Sequence, residues 1–170
     1  MVDEINHQPR LGVEIAGISF NNPVLGASGT FGYGLEFADL IDLNRLGGFA
    51  TKGLSARPLS GNPPPRIVET HGGMLNAIGL QNIGVDAFLR ERLPVLRAAG
   101  ARVVANFWGD SADEFAACAE RLDGQPGLVA LELNAASPNR PEWGSILATD
   151  PVALGAIVRT VRTRVSRLPL

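Results

Sequence analysis

Two short runs in which apolar and polar residues alternate, Leu11-Gly-Val-Glu-Ile and Ile18-Ser-Phe, flank the pair Ala16-Gly17. A two-residue period broken by a glycine turn predicts a β-hairpin ahead of the main fold, where it would plug a barrel floor. The pattern then changes. The apolar run Pro23 to Ala27 reads as a strand, the segment from about Gly34 to Leu43 as a helix, and Gly48 to Lys52 as a second strand. The rhythm resumes with a helix over Val85 to Ala99, a strand over Arg102 to Asn106 and a helix over Ser111 to Leu122. A strand over Leu128 to Asn134 and a helix over Asp150 to Val165 follow. Ser111 with Glu114 three residues on, and Asp150 followed by Pro151, are helix-start signals. Four βα units in succession predict a parallel sheet with right-handed crossovers, doubly wound or closed as a barrel; periodicity does not choose between the two.

The stretch from Gly53 to Gly84 interrupts this alternation, with four prolines between Pro58 and Pro65 and glycines clustered around Met74 and Ile78. Excursions of this length between core elements usually carry function. No internal repeat, low-complexity tract or charged linker divides the chain, so residues 1–170 read as one domain with no second.

Composition narrows the functional classes. With 170 residues, 45% apolar and 19% charged, the chain is globular in character and long enough to bury a core. A formal charge of −2 with interspersed signs offers no footprint for nucleic acid and no basic amphipathic stretch for a membrane surface. Met1 to Arg10 lacks an apolar signal core and no run of 18 apolar residues occurs, so a cytoplasmic location is expected. Cys118, the single cysteine, excludes an internal disulfide and reads as a buried, inert thiol on a helix. His7 and His71 have no second ligand at metal spacing, and no metal site is expected.

Small-molecule chemistry is left, and the polar residues at strand ends suggest where. Ser28, Lys52, Asn106 and Asn134 each fall at or just after the C-terminal end of a strand, the active face of a parallel barrel. With Asn76 and Asn139 in adjoining loops, these amides and hydroxyls suit a neutral heteroaromatic ring with alternating donors and acceptors, a flavin or a pyrimidine. Lys52 supplies a fixed cation for a reduced ring or a substrate carboxylate. The turn Ala27-Ser-Gly-Thr-Phe-Gly-Tyr-Gly34 allows close backbone approach to a ligand but lacks the Gly-x-Gly-x-x-Gly dinucleotide pattern. Glu132, two residues before Asn134, shares its face of the strand, and Lys52 is its expected partner. Trp108 and Trp143 occupy positions that either line a site or cover the rim.

In order along the chain, Ala27-Ser-Gly, Thr51-Lys-Gly, Gly61-Asn-Pro-Pro-Pro-Arg66, Gly73-Met-Leu-Asn-Ala-Ile-Gly-Leu-Gln-Asn82, Ala105-Asn106 and Leu133-Asn-Ala-Ala-Ser-Pro-Asn139 resemble the dihydroorotate dehydrogenases. The string from Met74 to Asn82 is most similar to the soluble class 1B enzymes, and the likeness runs from about Leu11 to the end. The resemblance implies an α/β fold, the N-terminal half (about four βα units) of a TIM (β/α)8 barrel preceded by a short β-hairpin. It implies FMN as cofactor, held by Ala27, Ser28, Gly29, Lys52, Asn106 and Asn134. Dihydroorotate or orotate would be bound by Lys52, Asn76, Ala77, Ile78, Gly79, Leu80, Asn134 and Asn139. It implies oxidation of dihydroorotate to orotate in pyrimidine (UMP) biosynthesis, and a partner subunit carrying FAD and an iron–sulfur cluster. The catalytic residues would be Ser137, in the position of the family's base, and Lys52. Soluble class 1 enzymes typically carry cysteine at that base and the membrane-associated class serine, a departure that leaves the electron acceptor open. A serine hydroxyl is far less acidic than a thiol, so Ser137 would need a relay or a water to accept a net proton.

A full barrel needs about 250 residues. The family's later flavin contacts and its phosphate loops after strands seven and eight are therefore expected to be missing, FMN affinity to suffer, and exposed sheet edges to favour homo-oligomers. Two other readings stand beside this one: a non-catalytic half-barrel remnant or interaction module, and a related FMN barrel acting on another dihydropyrimidine such as reduced uracil.

Overall fold

A computed structural model of the chain describes residues 11–137 and 146–170. The predicted hairpin forms from β1 (Val13–Ile15) and β2 (Ile18–Phe20), antiparallel, with Ala16 (φ 51°) and Gly17 (φ 77°) in the left-handed region at its turn. Four strands then build one parallel sheet: β3 (Leu25–Gly26), β4 (Gly48–Ala50), β7 (Val103–Phe107) and β8 (Leu128–Leu133). Their order across the sheet is β3-β4-β7-β8, the order of the chain. A doubly wound sheet reverses its strand order at a switch point, whereas a barrel adds each strand beside the last. The sequential order is that of a barrel. Past the final helix the chain comes back against β8, where the Leu131 N–H donates to the Pro169 carbonyl (2.8 Å).

The expected helix from Gly34 to Leu43 does not form. Only two short 3₁₀ turns lie there, Leu35–Phe37 and Leu43–Arg45. Gly34 has φ +87° and no capping side chain. Phe31 stacks on Phe37 with ring centroids 4.6 Å apart, and Asp42 accepts from the Asn44 N–H, ending the first turn and opening the second. Leu40 and Ile41 stay exposed, so no continuous apolar stripe rewards a longer helix.

The helix after the excursion runs from Gly84 to Ala98 as α1 (Gly84–Ala87), a π turn (Phe88–Arg92) and α2 (Leu93–Ala98). Pro94 explains the widened turn, because its ring has no N–H to donate to Arg90 and clashes with that carbonyl in a regular α-helix. α3 (Ala112–Leu122) starts where its cap predicts, the Glu114 N–H donating to Ser111 Oγ at 3.2 Å. The Glu114 carboxylate accepts from the Asp110 N–H (3.0 Å), one residue before the position a reciprocal capping box uses. Phe115, Cys118, Ala119 and Leu122 recur at helical spacing and are fully buried. α4 (Pro151–Arg164) starts at Asp150, whose side chain accepts from the Val152 and Ala153 N–H groups.

The core lies between the sheet and its helices, with Phe49, Leu54, Phe88, Phe107, Phe115 and Val161 fully buried. Cys118 belongs to it as expected, its Sγ 3.6 Å from the Leu54 carbonyl oxygen. Burial pushes the thiol up to about 12, only partly offset by a hydrogen bond from the Trp108 backbone. A thiol reagent at pH 8 is expected to leave Cys118 unlabelled until denaturant opens the fold, since the thiolate is the reacting species. Labelling of the folded chain at the rate of a free cysteine, followed by absorbance, would contradict this packing.

Asp123, just past α3, fastens the C-terminal segment. Its carboxylate accepts from the backbone N–H groups of Ser166 (3.0 Å), Arg167 (3.1 Å) and Leu168 (2.8 Å). Slight burial acts to raise its pKa, but these donors and the Arg167 charge prevail and hold it below the ordinary carboxylate value. A depressed carboxyl contributes stability above its unfolded pKa, about 3.9, and loses it as pH falls through the folded value. Asp123→Asn is expected to lower stability by ~1–2 kcal/mol at pH 7. In denaturant titrations the gap from the parent should close as pH falls below the ordinary carboxylate range, because protonation of Asp123 removes the same charge from the parent.

No helix among the described residues is long and apolar enough to cross a membrane.

Candidate functional site

The excursion from Gly53 to Gly84 is ordered by its own hydrogen bonds. Within it β5 (Ile67–Thr70) and β6 (Gly73–Asn76) form an antiparallel hairpin that the sequence pattern did not predict. Arg66 holds the loop together: its guanidinium donates to the carbonyls of Ser60 (3.3 Å) and Asn62 (3.2 Å) and to Gln81 Oε1 (2.5 Å). Asn62 in turn donates to the Ala77 carbonyl, and its N–H to that of Ile78. At the far end buried Asn82 accepts from the Ser55 and Gly84 N–H groups and donates to Ser55 Oγ (2.8 Å). These bonds fold the segment back over the C-terminal ends of the sheet strands.

Beneath it lies a cavity of about 250 Å³ lined by Ser28, Gly29, Lys52, Gly53, Asn76, Ile78, Leu80, Gln81, Asn106 and Asn134. Strand-end residues form its floor and the excursion its roof. Two members, Gly53 and Gln81, were not singled out by sequence reasoning. Both nonetheless lie inside quoted strings, Gly53 in Thr51-Lys-Gly53 and Gln81 in Gly73 to Asn82, whereas the Arg66 bond that holds Gln81 is a long-range contact no local pattern carries. Ala27, Ala77 and Gly79 flank the lining without joining it. Ala77 and Gly79 are occupied with the loop's own structure, Gly79 (φ +76°) lying against Asn62. Ser137 is buried three residues beyond Asn134 and is not among the lining residues. Asn139 and Trp143 fall outside the described residues, as does His7. Trp108 is buried beside Gly53, His71 is exposed, and no group of potential metal ligands occurs among the described residues.

Three of the polar lining residues are held at fixed points through their backbone N–H groups. The Lys52 N–H donates to the Gly32 carbonyl (2.6 Å), which ties the lysine to the glycine-rich turn. Asn106, 3% exposed, receives its position from Thr51, whose Oγ1 accepts the Asn106 N–H (3.1 Å). Asn134 anchors through its N–H to the Phe107 carbonyl, and its Oδ1 accepts from the Ala136 N–H. Glu132 does not pair with Lys52 as expected. Its Oε1 accepts from Asn106 Nδ2 at 2.5 Å, because the neighbouring strand β7 puts the amide directly opposite it in register. A second cavity, about 650 Å³, shares Lys52 and Gln81 with the first. Tyr33, Pro58, Leu59, Ile83 and Ala87 contribute to its walls, and the Ile83 N–H donates to the Tyr33 hydroxyl. The smaller cavity is the site candidate, since convergent polar groups rather than volume mark a specific site.

With that geometry in hand, comparison with known proteins gives the family. The family model described as Dihydroorotate dehydrogenase matches residues 10–170. The chain belongs to the dihydroorotate dehydrogenase family. Among its relatives is the "Dihydroorotate dehydrogenase B (NAD(+)), catalytic subunit" of Geotalea uraniireducens, 54% identical over 155 residues, covering 91% of this chain and 51% of that protein. The protein of the same name from Geobacter sulfurreducens is 52% identical over 155 residues, again 91% of this chain and 51% of the other. The crystal structure of a ligand-free dihydroorotate dehydrogenase from Eimeria tenella superposes with a TM-score of 0.69 at 21% identity, over 95% of this chain and 47% of that one. The chain thus spans about half the length of the dihydroorotate dehydrogenases it matches. Its four parallel strands with their connections, after the opening hairpin, are the N-terminal half of a (β/α)8 barrel, as the motifs implied, with 3₁₀ turns in place of the first helix.

Proposed function

We propose that the pocket under the excursion is this chain's share of an FMN site at which dihydroorotate is oxidised to orotate. One observation carries the reading. Ser28, Gly29, Lys52, Asn106 and Asn134 from four strand ends, and Asn76, Ile78 and Leu80 from the excursion, line a single cavity. These are the residues the resemblance assigns to flavin and pyrimidine.

The residues fit a flavin edge. Asn106 Oδ1 is buried with no hydrogen-bond partner among the described residues, an acceptor awaiting a donor. A Cβ built on Gly53 would lie 3.0 Å from that oxygen and 3.4 Å from Asn134 Nδ2, so glycine keeps open the space a planar ring would enter. The cavity is smaller than the roughly 300–1,000 Å³ of whole-ligand sites, which suits one polar edge of a ring system rather than a complete ligand.

FMN, when bound, supplies the two-electron acceptor for the hydride that leaves C6 of the substrate. The protein's part is placement. Asn76 and Asn134 would hold the pyrimidine by its amide edge, and Lys52 would hold its carboxylate. Ser137 Oγ would take the proton from C5, with help from a neighbouring relay. Lys52 favours dihydroorotate over reduced uracil, which has no carboxylate for a cation to hold. The names of the relatives support a separate electron-transfer subunit, which we assign FAD and an iron–sulfur cluster, and we place the protein in the cytoplasm as a homo-oligomer.

The test is a flavin titration of the 170-residue chain, by FMN absorbance and fluorescence, with light scattering on the same sample. Saturable FMN binding, weaker than a complete barrel would give, is the expected result, and anaerobic bleaching by dihydroorotate would show that the bound ring also meets substrate. A folded, soluble species that takes up no FMN would refute the reading and favour a non-catalytic remnant.

A further inference from the structure

Resting on the flavin reading, we infer that Glu132 is a positioning residue that fixes the polarity of Asn106, so that the pocket offers an acceptor there and selects a ligand bearing a ring N–H. A carboxamide has two ends of nearly equal shape and opposite chemistry, and only its partners decide which end faces a ligand. An ionised carboxylate accepts and never donates, so beside Glu132 the NH₂ end of Asn106 must face the acid. The 2.5 Å contact from Asn106 Nδ2 to Glu132 Oε1 has that arrangement.

The consequence falls on the other end. Asn106 Oδ1 is turned away from Glu132, is buried, and has no partner among the described residues. It lies next to Gly53, at the wall of the cavity that Asn134 also lines. The backbone cannot swing to compensate, because the Asn106 N–H is held by the fully buried Thr51 hydroxyl and β7 is paired on both sides. An acceptor that cannot rotate into a donor rejects a ligand carbonyl or a bare ring nitrogen and rewards an N–H. The oxidised isoalloxazine ring has a single ring N–H, at N3, and FMN methylated at N3 lacks it.

The experiment uses the 170-residue chain and two variants, Glu132→Gln and Glu132→Asp. The amide substitution leaves an acceptor oxygen but adds a donor, so both orientations of Asn106 become available. The shorter acid keeps an acceptor-only partner. In the parent, the Asn106 side-chain NH₂ proton facing the acid should resonate well downfield of free asparagine in ¹H–¹⁵N spectra. That proton should move upfield in Glu132→Gln and largely recover in Glu132→Asp. FMN should bind the parent at least tenfold more tightly than N3-methyl-FMN, and Glu132→Gln should bind FMN at least fivefold more weakly and lose most of that discrimination. Circular dichroism melts of all three chains separate a folding defect from a change of polarity. An Asn106 proton at the free-asparagine position in the parent, or a folded Glu132→Gln chain with parental affinity and discrimination, would overturn the assignment. If the parent binds no flavin, the functional reading fails by itself, and the Asn106 resonance alone decides for or against Glu132 as the residue that orients this amide.

Discussion

Replacing Phe49 with alanine is expected to cost about 3–5 kcal/mol of stability, the range for a fully buried phenylalanine whose cavity the surroundings fill only in part. Phe49 is the middle residue of β4, is 0% exposed, and pairs in register with Gly26 on one side and Val103 on the other. Its neighbourhood explains why collapse would be limited. A Cβ on Gly26 would come within 2.9 Å of Phe49 Cβ, and one on Gly34 would collide with the end of the ring. The phenylalanine therefore rests directly against glycine backbone, which has no side chain to move into the space. Phe31, with its ring centroid 5.1 Å away, is its aromatic neighbour among the described residues, and it is itself held in the stack with Phe37. Against a total of roughly 5–15 kcal/mol for a folded domain, that is a large share of the reserve. Denaturant titration should show the midpoint fall steeply in Phe49→Ala and much less in Phe49→Leu. A loss near 1 kcal/mol for alanine would mean that the turn from Phe31 to Gly34 relaxes freely into the hole. The same turn carries Gly32, whose carbonyl accepts the Lys52 N–H. FMN binding is thus expected to weaken in Phe49→Ala before the chain unfolds.

The second large effect is functional. Lys52→Ala is expected to weaken binding of FMN and of orotate by about a hundredfold while changing stability by less than ~0.5 kcal/mol. Hydrogen bonds to a charged group contribute roughly 1.5–3 kcal/mol each, and each 1.4 kcal/mol is a factor of ten in affinity. Lys52 lines both cavities, so one ammonium faces whichever ligand enters either. Among the described residues only its backbone N–H makes a hydrogen bond, and alanine retains it. Lys52→Arg should recover little, since a planar fork does not occupy the place of a compact ammonium. Fluorescence titration and denaturant unfolding on the same samples check both halves of the statement. Unchanged affinity for both ligands would remove Lys52 from the site and leave the amides and Ser28 as its polar side chains.

Where each element begins was legible wherever the deciding forces are local. Ser111 and Asp150 cap helices within a residue or two of the expected starts, because a side-chain oxygen and an N–H three residues on meet inside a single turn. Strand positions were equally readable from short apolar runs, and with them the strand ends that carry Ser28, Lys52, Asn106 and Asn134. The stretch from Gly34 to Leu43 was misread for the opposite reason. Its apolar residues suggest a helix, but the outcome depends on whether a face exists to bury them, and Leu40 and Ile41 find none. The hairpin from Ile67 to Asn76 was hidden because its residues are exposed throughout and lack a buried alternation.

By itself, the sequence determined the succession of parallel strands, the helix caps, the buried character of Cys118 and the motifs that place the chain in its family. These rest on interactions within a few residues or on residue order alone. The tertiary structure decided the rest. The strand order β3-β4-β7-β8 selects a barrel over a doubly wound sheet, and hydrogen bonds between neighbouring strands are what set it. Thr51 reaches Asn106 across 55 residues, and Glu132 meets Asn106 rather than Lys52 across 26. Partners that distant are chosen by sheet register and by the packing beneath it, and a local pattern of polar and apolar residues carries no term for either.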